Sequence, residues 1–320
     1  EMQAQKEKLL KGFTEHGLST KKGQKLWELI EPFAAYGFNK AHAASYGRVA
    51  YQTAYMKANF PVAYMTAILT NESGDTEKIA EIVSECKRMN ITVLPPNVNM
   101  SQGGFSIVKN KDNVEEIRFG LYTIKNLGVD ISDAIILEQI KNGPFKSFED
   151  FIRRVTHKNL NKKSLEALTM CGALDEFGER GQIMANMDNI LDFHKHVVKD
   201  NFLQNSLFNN DTSQSSFRMK EVLPTTQEQK LIWEKELLGL FVSGFPLDPW
   251  KDKIMSRKLD IETIHSGIAD GTELTLAVII ENIKITITKK GDKMALLKLR
   301  DYTGEIEEAV FPETYKTYKN

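Results

Sequence analysis

The chain has 320 residues, of which 41% are hydrophobic and 27% charged, with a net charge of −1 at pH 7. That length holds two or three domains with separate cores, and the near-neutral balance excludes a wholesale polyanion binder of the histone kind. No apolar run is long enough to span a bilayer, and Glu1 to Leu10 is charged rather than signal-like, so a cytoplasmic protein with no membrane partner is expected. The two cysteines, Cys86 and Cys171, stand far apart. They form neither a disulfide framework nor a Cys-x-x-Cys metal site, and both read as buried thiols.

The first seventy residues read mainly as helix. Trp27, Ile30 and Phe33 have helical spacing until Pro32 and Gly37 interrupt it, and apolar stripes resume through Val49, Tyr51, Tyr55 and Ala58 and again through Met65, Ile68 and Leu69. Asp75 opens an amphipathic helix with the stripe Ile79, Ile82, Val83, Cys86 and Met89, and Asn90 stops it. Ile91 to Leu94 reads as a short strand closed by Pro95-Pro96. Phe105 to Val108 and Ile117 to Phe119 alternate as a hairpin around Asn110 to Asn113.

After Gly120 the pattern changes to short helices punctuated by glycine. Leu121 to Leu127, Gly128 and Ile131 to Ile140 form one helix-turn-helix unit; Lys162 to Met170, Gly172 to Gly178 and Gln182 to Phe193 form a second. Residues 194–226 read as a polar linker. Leu231 to Leu240 is helical, with Ser243 to Pro246 as its stop. From Leu274 the chain alternates into strands, with turns at Lys290-Gly291-Asp292 and Asp301 to Gly304, which is a β-meander.

Charge is local. Lys141, Lys146, Arg153, Arg154, Lys158, Lys162 and Lys163 face only Glu149 and Asp150 between Ile140 and Leu165, and Lys284, Lys289, Lys290, Lys293, Lys298 and Arg300 face only Glu281 and Asp292. Two such patches on a neutral chain point to contact with a polyanion, against the plainer alternative of solvated lysine-rich faces. In the linker, Gln204-Asn205-Ser206-Leu207-Phe208 is suited to docking: each apolar anchor would gain roughly 1.5–3 kcal/mol on entering a partner's pocket. Asn39, Lys40 and His42 place an amide, a cation and an imidazole on one short bend, although a histidine between alanines also fits a packed core position. His194 and His196, with Asp192, point to different faces of a helix, so no metal site is expected.

The stretch from Tyr36-Gly37-Phe38-Asn39-Lys40-Ala41-His42 to Tyr55-Met56-Lys57 resembles the fingers segment of the bacterial replicative DNA polymerase III alpha subunit, a C-family polymerase. The resemblance continues in order through Leu94-Pro95-Pro96 with Asn99, Ile117-Arg118-Phe119-Gly120 with Ile124-Lys125-Asn126, and Gly143-Pro144-Phe145. Asn161-Lys162-Lys163, Cys171-Gly172-Ala173 and Glu236-Leu237-Leu238-Gly239 follow, so it covers essentially the whole chain, and the pentapeptide at Gln204 resembles a sliding-clamp-binding box.

This resemblance implies a multidomain α+β chain: the end of the fingers with a small β-hairpin over residues 1–120 and a tandem helix-hairpin-helix domain over 121–200. A linker with the clamp peptide and a helix would cover 201–271, and the start of an oligonucleotide-binding (OB) barrel, incomplete here, 272–320. It implies template-directed DNA synthesis by the full polypeptide. Asn39, Lys40 and His42 would face the incoming dNTP, with His42 near its sugar. Gly128, Arg153, Arg154, Lys162, Lys163, Gly172, Lys289 and Lys290 would bind DNA, and Gln204, Leu207 and Phe208 the clamp. Partners would be primer-template duplex, single-stranded template, the clamp and other replicase subunits. The family holds Mg2+ on an upstream Asp-x-Asp pair. No Asp-x-Asp occurs in this chain, so no catalytic or metal residue is assigned to it and the fragment alone is expected to be inactive. In the first hairpin Asp130 stands where the family commonly has a second glycine; a carboxylate there would repel phosphate, so it reads as a cap of the next helix and this hairpin as structural. The second hairpin is also acidic, so binding would depend more on Lys162, Lys163, Arg153 and Arg154. The alternatives are a non-catalytic DNA-binding and clamp-tethering module, or an error-prone paralogue.

Overall fold

In the computed structural model, the described residues are 2–36, 39–203, 217–257 and 259–319. They fall into two units, Glu1–Met65 and Thr66–Asn320. Together these form a multidomain α+β chain, predominantly helical, with two small β-sheets.

The first unit contains α1 (Met2–Glu15), α2 (Thr20–Tyr36) and α3 (Lys40–Asn59), and α4 (Pro61–Asn71) carries the chain into the second. Helices α1 and α2 pack together near Gly23, where an added Cβ would meet Leu10 and Phe13 at 3.5 Å. Buried Trp27 donates its Nε1–H to Glu31 at 3.0 Å. Pro32 does not end α2, contrary to the sequence expectation, because the helix continues to Tyr36. One proline forfeits one N–H bond, and a helix with intact turns on both sides kinks rather than stops. Asn39 caps α3: its Oδ1 accepts from the N–H groups of Ala41 (2.9 Å) and His42 (3.4 Å).

The second unit continues with α5 (Thr76–Arg88), capped by Asp75 and followed by Asn90 in the left-handed region at φ 57°, with Ile79 and Cys86 buried as the stripe requires. Strands β1 (Val93–Leu94), β2 (Ser106–Lys109) and β3 (Glu115–Arg118) make a mixed sheet of order β1-β3-β2. In it β1 runs parallel to β3 and β2 antiparallel. Asn113, at φ 62°, turns the β2–β3 hairpin. Next come α6 (Val129–Asn142), α7 (Phe148–Arg154), α8 (Lys162–Met170), α9 (Arg180–Ala185), α10 (Met187–Leu203) and α11 (Gln227–Leu238). Two short helices, α12 (Lys251–Met255) and α13 (Ile261–His265), lead into an antiparallel meander of β4 (Ile279–Ile287), β5 (Lys293–Arg300) and β6 (Glu305–Val310), and α14 (Pro312–Tyr318) packs on β5.

Several expectations change. Leu121 to Leu127 holds one turn of 3-10 helix at Leu121–Thr123 rather than a helix, since Ile124 is extended and Asn126 is left-handed at φ 69°. The expected helix from Gln182 to Phe193 divides at Asn186, whose side chain is drawn to Gln182 and Lys220. Helix α10 then runs on to Leu203 because Ile190, His194 and Val197 form a buried stripe at i, i+4 and i+7. So the start of the expected linker is helical. Gly239, left-handed at φ 81°, ends α11 before Ser243 is reached.

Sequence blocks far apart meet in this unit. Asn99 donates Nδ2–H to the Phe145 carbonyl (3.0 Å) and accepts the Phe145 N–H (2.7 Å). The Val98 N–H reaches the Ala173 carbonyl, and the Lys125 N–H reaches that of Leu237. The Pro95-Pro96 loop, the Gly143 turn, the Gly172 turn and the end of α11 are thereby fixed to one another.

Candidate nucleic-acid interface

The first hairpin runs from the 3-10 turn through Asn126 and Leu127 into α6. Leu127, Ile131 and Ile135 are buried and seat it on the core. Gly128 is the residue before α6, extended at φ −73° and ψ 155°, with no side-chain cap. A Cβ built on it would meet nothing within 4 Å. No side chain therefore blocks the approach to the start of α6 at Gly128, and a helix N-terminus is weakly positive. Asp130 is not the cap: it lies inside the first turn of α6, exposed, with its Oδ2 3.5 Å from Asn159 Nδ2. The exposed cation Lys125 is on the same hairpin.

The second hairpin glycine is placed differently. Gly172 is left-handed at φ +85°, and a Cβ there would fall 2.4 Å from Arg180 Nη2 and 2.9 Å from Asp175 Oδ2. Arg180 is buried, bidentate to Asp175 (2.8 and 2.7 Å), and bound to the Met170 carbonyl (3.0 Å) and to buried Glu234 of α11 (2.9 Å). Glu234 also accepts the N–H groups of Val242 and Ser243. Gly172 makes room for an internal ion-pair network. The acidic look of this turn has the same cause: Asp175 faces Arg180, and Glu176 accepts from Asn97 and Asn99.

The basic connector divides into two kinds of cation. Ser147 caps α7, whose Phe148, Phe151 and Ile152 are buried. From its last turn Arg154 reaches back to Glu138 (2.9 Å), Asp150 (3.1 Å) and the carbonyls of Gly143 (2.7 Å), Pro144 and Glu138 (both 3.3 Å), lying over the Phe145 ring. Partial burial opposes charge on Glu138, yet the hydrogen bonds from Arg154 and Asn142 hold its carboxyl below the ordinary value. Arg153 pairs with Glu149 and stacks on Phe193, and Lys162 pairs with Asp188 at 3.5 Å. Lys141, Lys146, Lys158 and Lys163 are exposed and make no ion pair among the described residues. Lys163 sits in the first turn of α8, which Asn161 and Ser164 cap reciprocally.

In the meander, Lys289 and Lys290 are exposed on a turn closed by the Thr288 N–H donating to the Asp292 carbonyl at 2.8 Å, with Gly291 at φ 87°. Lys298 and Arg300 are instead paired with Glu305, and Arg300 and Lys235 with Glu281. Burial disfavours the Glu281 charge, but those two cations outweigh it and lower its pKa. Asp301 builds the next turn by accepting from Thr303, Gly304 and, across the unit, Ile261.

In the first unit Lys40 and His42 are exposed in the first turn of α3. The His42 ring lies 4.3 Å from that of Tyr46, so it is not the packed core histidine that its alanine neighbours allow. Asn39 is engaged as the helix cap. Gln204, Leu207 and Phe208 lie outside the described residues. His194, considered with His196 and Asp192 for a metal, is buried with Nε2 3.0 Å from the Val155 carbonyl. Among the described residues no group of three or more His, Cys, Asp or Glu could hold a metal ion, and no helix is long and apolar enough to cross a membrane. The residues that sequence reasoning missed are Arg180 and Glu234, whose only signal was a glutamate inside an apolar stripe of α11 beside Leu231, Leu237 and Leu238.

Residues 90–183 match the family described as helix-hairpin-helix motif. Curated relatives named DNA polymerase III subunit alpha align with the whole chain. That of Borreliella burgdorferi is 39% identical over 328 residues, covering 100% of this chain and 28% of the relative. The Deinococcus radiodurans protein is 36% identical, covering 98% and 24%, and the Thermus aquaticus protein 34% identical, covering 99% and 26%. The chain spans about a quarter of the length of these relatives. The resemblance read from its sequence therefore holds from end to end: the chain is a relative of one segment of the bacterial DNA polymerase III alpha subunit and carries that segment's helix-hairpin-helix region.

Proposed function

We propose that the chain is the DNA-handling part of a bacterial replicative DNA polymerase, holding primer-template duplex and single-stranded template while synthesis is catalysed elsewhere in the full polypeptide. The observation that carries this reading is the open, uncapped Gly128 end of α6 inside the helix-hairpin-helix region. Backbone N–H groups there can approach a phosphate with no side chain in the way, and such a contact ignores base identity. Lys125, Lys158 and Lys163 add positive charge, whereas Arg154 serves the fold. Mg2+ would be held by carboxylates elsewhere in the full polypeptide. The β4–β6 meander, with Lys289 and Lys290 on its turn, supports the reading of an OB-type barrel segment for single strands. Asn39, Lys40 and His42 are assigned to the incoming dNTP, and Gln204, Leu207 and Phe208 to the sliding clamp, alongside other replicase subunits.

The test is duplex binding by the Gly128→Ala variant of the 320-residue chain. The added methyl meets no protein atom, so the fold is kept while phosphate approach is obstructed. Duplex affinity should fall about tenfold, on the order of one charge-assisted hydrogen bond. Unchanged affinity would remove the hairpin from the interface.

A further inference from the structure

The segment between α7 and α8 brings cations and carboxylates together in a way that spacing along the chain does not show. Lys158, Lys162 and Lys163 are exposed along it. Its course is fixed from within: the Asn159 N–H donates to His157 Nδ1 (3.2 Å), and Ser164 Oγ donates to the Asn159 carbonyl (2.7 Å). Each end then meets an acidic residue of another helix. Asn159 Nδ2 lies 3.5 Å from Asp130, in the first turn of α6, and Lys162 Nζ lies 3.5 Å from Asp188, in the first turn of α10. The Asp188 side chain is 88% exposed. Asp130 is exposed as well and forms no ion pair among the described residues.

We propose that Asp130 and Asp188 limit the affinity of this face for duplex DNA, keeping it below what the lysines alone would give, so that each backbone contact is released as the duplex moves past. The inference rests on the reading of the chain as DNA-handling and adds how that grip is kept weak. An ion pair this exposed is screened by solvent and contributes little to the fold, and Asn159 offers Asp130 an amide rather than a charge. Each carboxylate instead sets negative charge where a phosphate would bind: Asp188 occupies Lys162, and Asp130 stands two residues from Gly128. A duplex carries one charge per about 1.7 Å of axis, so sliding exchanges one phosphate for the next at every lysine. A lysine already beside a carboxylate gains less from each phosphate and gives it up more readily. The plainer role for an acid in a first turn is to complement the helix end. That role predicts lower stability on replacement and no change in DNA affinity.

The experiment measures duplex affinity and dissociation rate of the 320-residue chain in about 0.1 M salt, with Asp130→Asn, Asp188→Asn and the two together. Asparagine keeps the size and the side-chain oxygen while removing the charge. Each replacement should tighten binding about two- to threefold and the pair about fivefold, chiefly through slower dissociation. The gain should vanish as salt approaches about 1 M, where the screening length is about 3 Å. Asp130→Glu keeps the charge and should bind like the unaltered chain. Glu313→Gln removes the same charge from α14 and should leave duplex affinity unchanged. In a Lys162→Gln background Asp188→Asn should lose most of its effect, while Asp130→Asn keeps its own. Unchanged or weaker binding by both asparagine variants, an equal gain from Glu313→Gln, or a gain that persists at high salt would each overturn the assignment. Salt-dependent duplex binding by the unaltered chain that no asparagine variant tightens leaves the proposed function standing and removes only the limit set by the two carboxylates. Binding of duplex by neither the unaltered chain nor any variant removes both.

Discussion

The two hairpin glycines show how one residue type performs opposite tasks. At Gly172 both the positive φ and the Arg180 guanidinium exclude a side chain. Gly172→Ala should therefore destabilise the chain by about 2–4 kcal/mol in denaturant unfolding, from left-handed strain plus overpacking. Gly128 has an ordinary φ and empty space. Gly128→Ala should cost only about 1 kcal/mol, because glycine is a better N-cap than alanine and nothing else opposes the added methyl. Equal costs at the two sites would contradict the geometry. His194 supplies a pH signature at the same scale. Burial lowers its pKa below the ordinary 6.5, against the Val155 carbonyl that favours the charged ring. The unfolded chain then takes up a proton near pH 6.5 that the folded chain refuses, so this contribution is present above pH 6.5 and is lost as pH falls below it. His194→Gln should flatten stability between pH 6.5 and its lowered folded value; an unaltered profile would show that the ring titrates normally.

Among the elements, the α6–α7 turn and the start of α8 carry cations that look alike in sequence and differ in duty. Arg154 closes the turn through three carbonyls and two carboxylates. Arg154→Met should cost about 1–3 kcal/mol of stability because it removes charge-assisted bonds to half-buried acceptors, whereas Lys163→Gln, on the exposed face, should stay within about 0.5 kcal/mol. Thermal unfolding of the two variants distinguishes them. The local devices were legible from sequence: the Asp75 cap and the Asn110–Asn113 turn use neighbours, and both are found as read. The meander and its two turns were legible for the same reason, although its first strand begins at Ile279 rather than at Leu274. What could not be read depends on distant partners. Arg180 meets Glu234 across 54 residues, and Asn99 meets Phe145 across 46. The length of α10 was hidden because one position of its buried stripe is a histidine, which a polarity count assigns to a linker. At the candidate site, residue type gave charge but not its destination, so Arg154 and Lys163 were indistinguishable until their neighbours were placed.

The whole chain is similar to one segment of a polymerase subunit, and its surface cations divide between structural and exposed ones. The peptide Gln204 to Phe208 is the proposed contact with the clamp. Leu207→Ala with Phe208→Ala should cost about 2 kcal/mol or more of clamp affinity by titration, as loss of paired anchors does, and unchanged affinity would return the string to coincidence. The proposed function has the chain grip duplex DNA by its backbone through the exposed cations around the helix-hairpin-helix region. Its most direct test is a salt series of duplex affinity for the unaltered chain and for Lys158→Gln and Lys163→Gln. The logarithm of affinity should fall linearly with that of salt concentration, irrespective of duplex sequence, and each substitution should reduce the slope by about one unit. A salt-independent affinity, a strong preference among duplex sequences, or a slope that neither substitution alters would rule out this backbone grip.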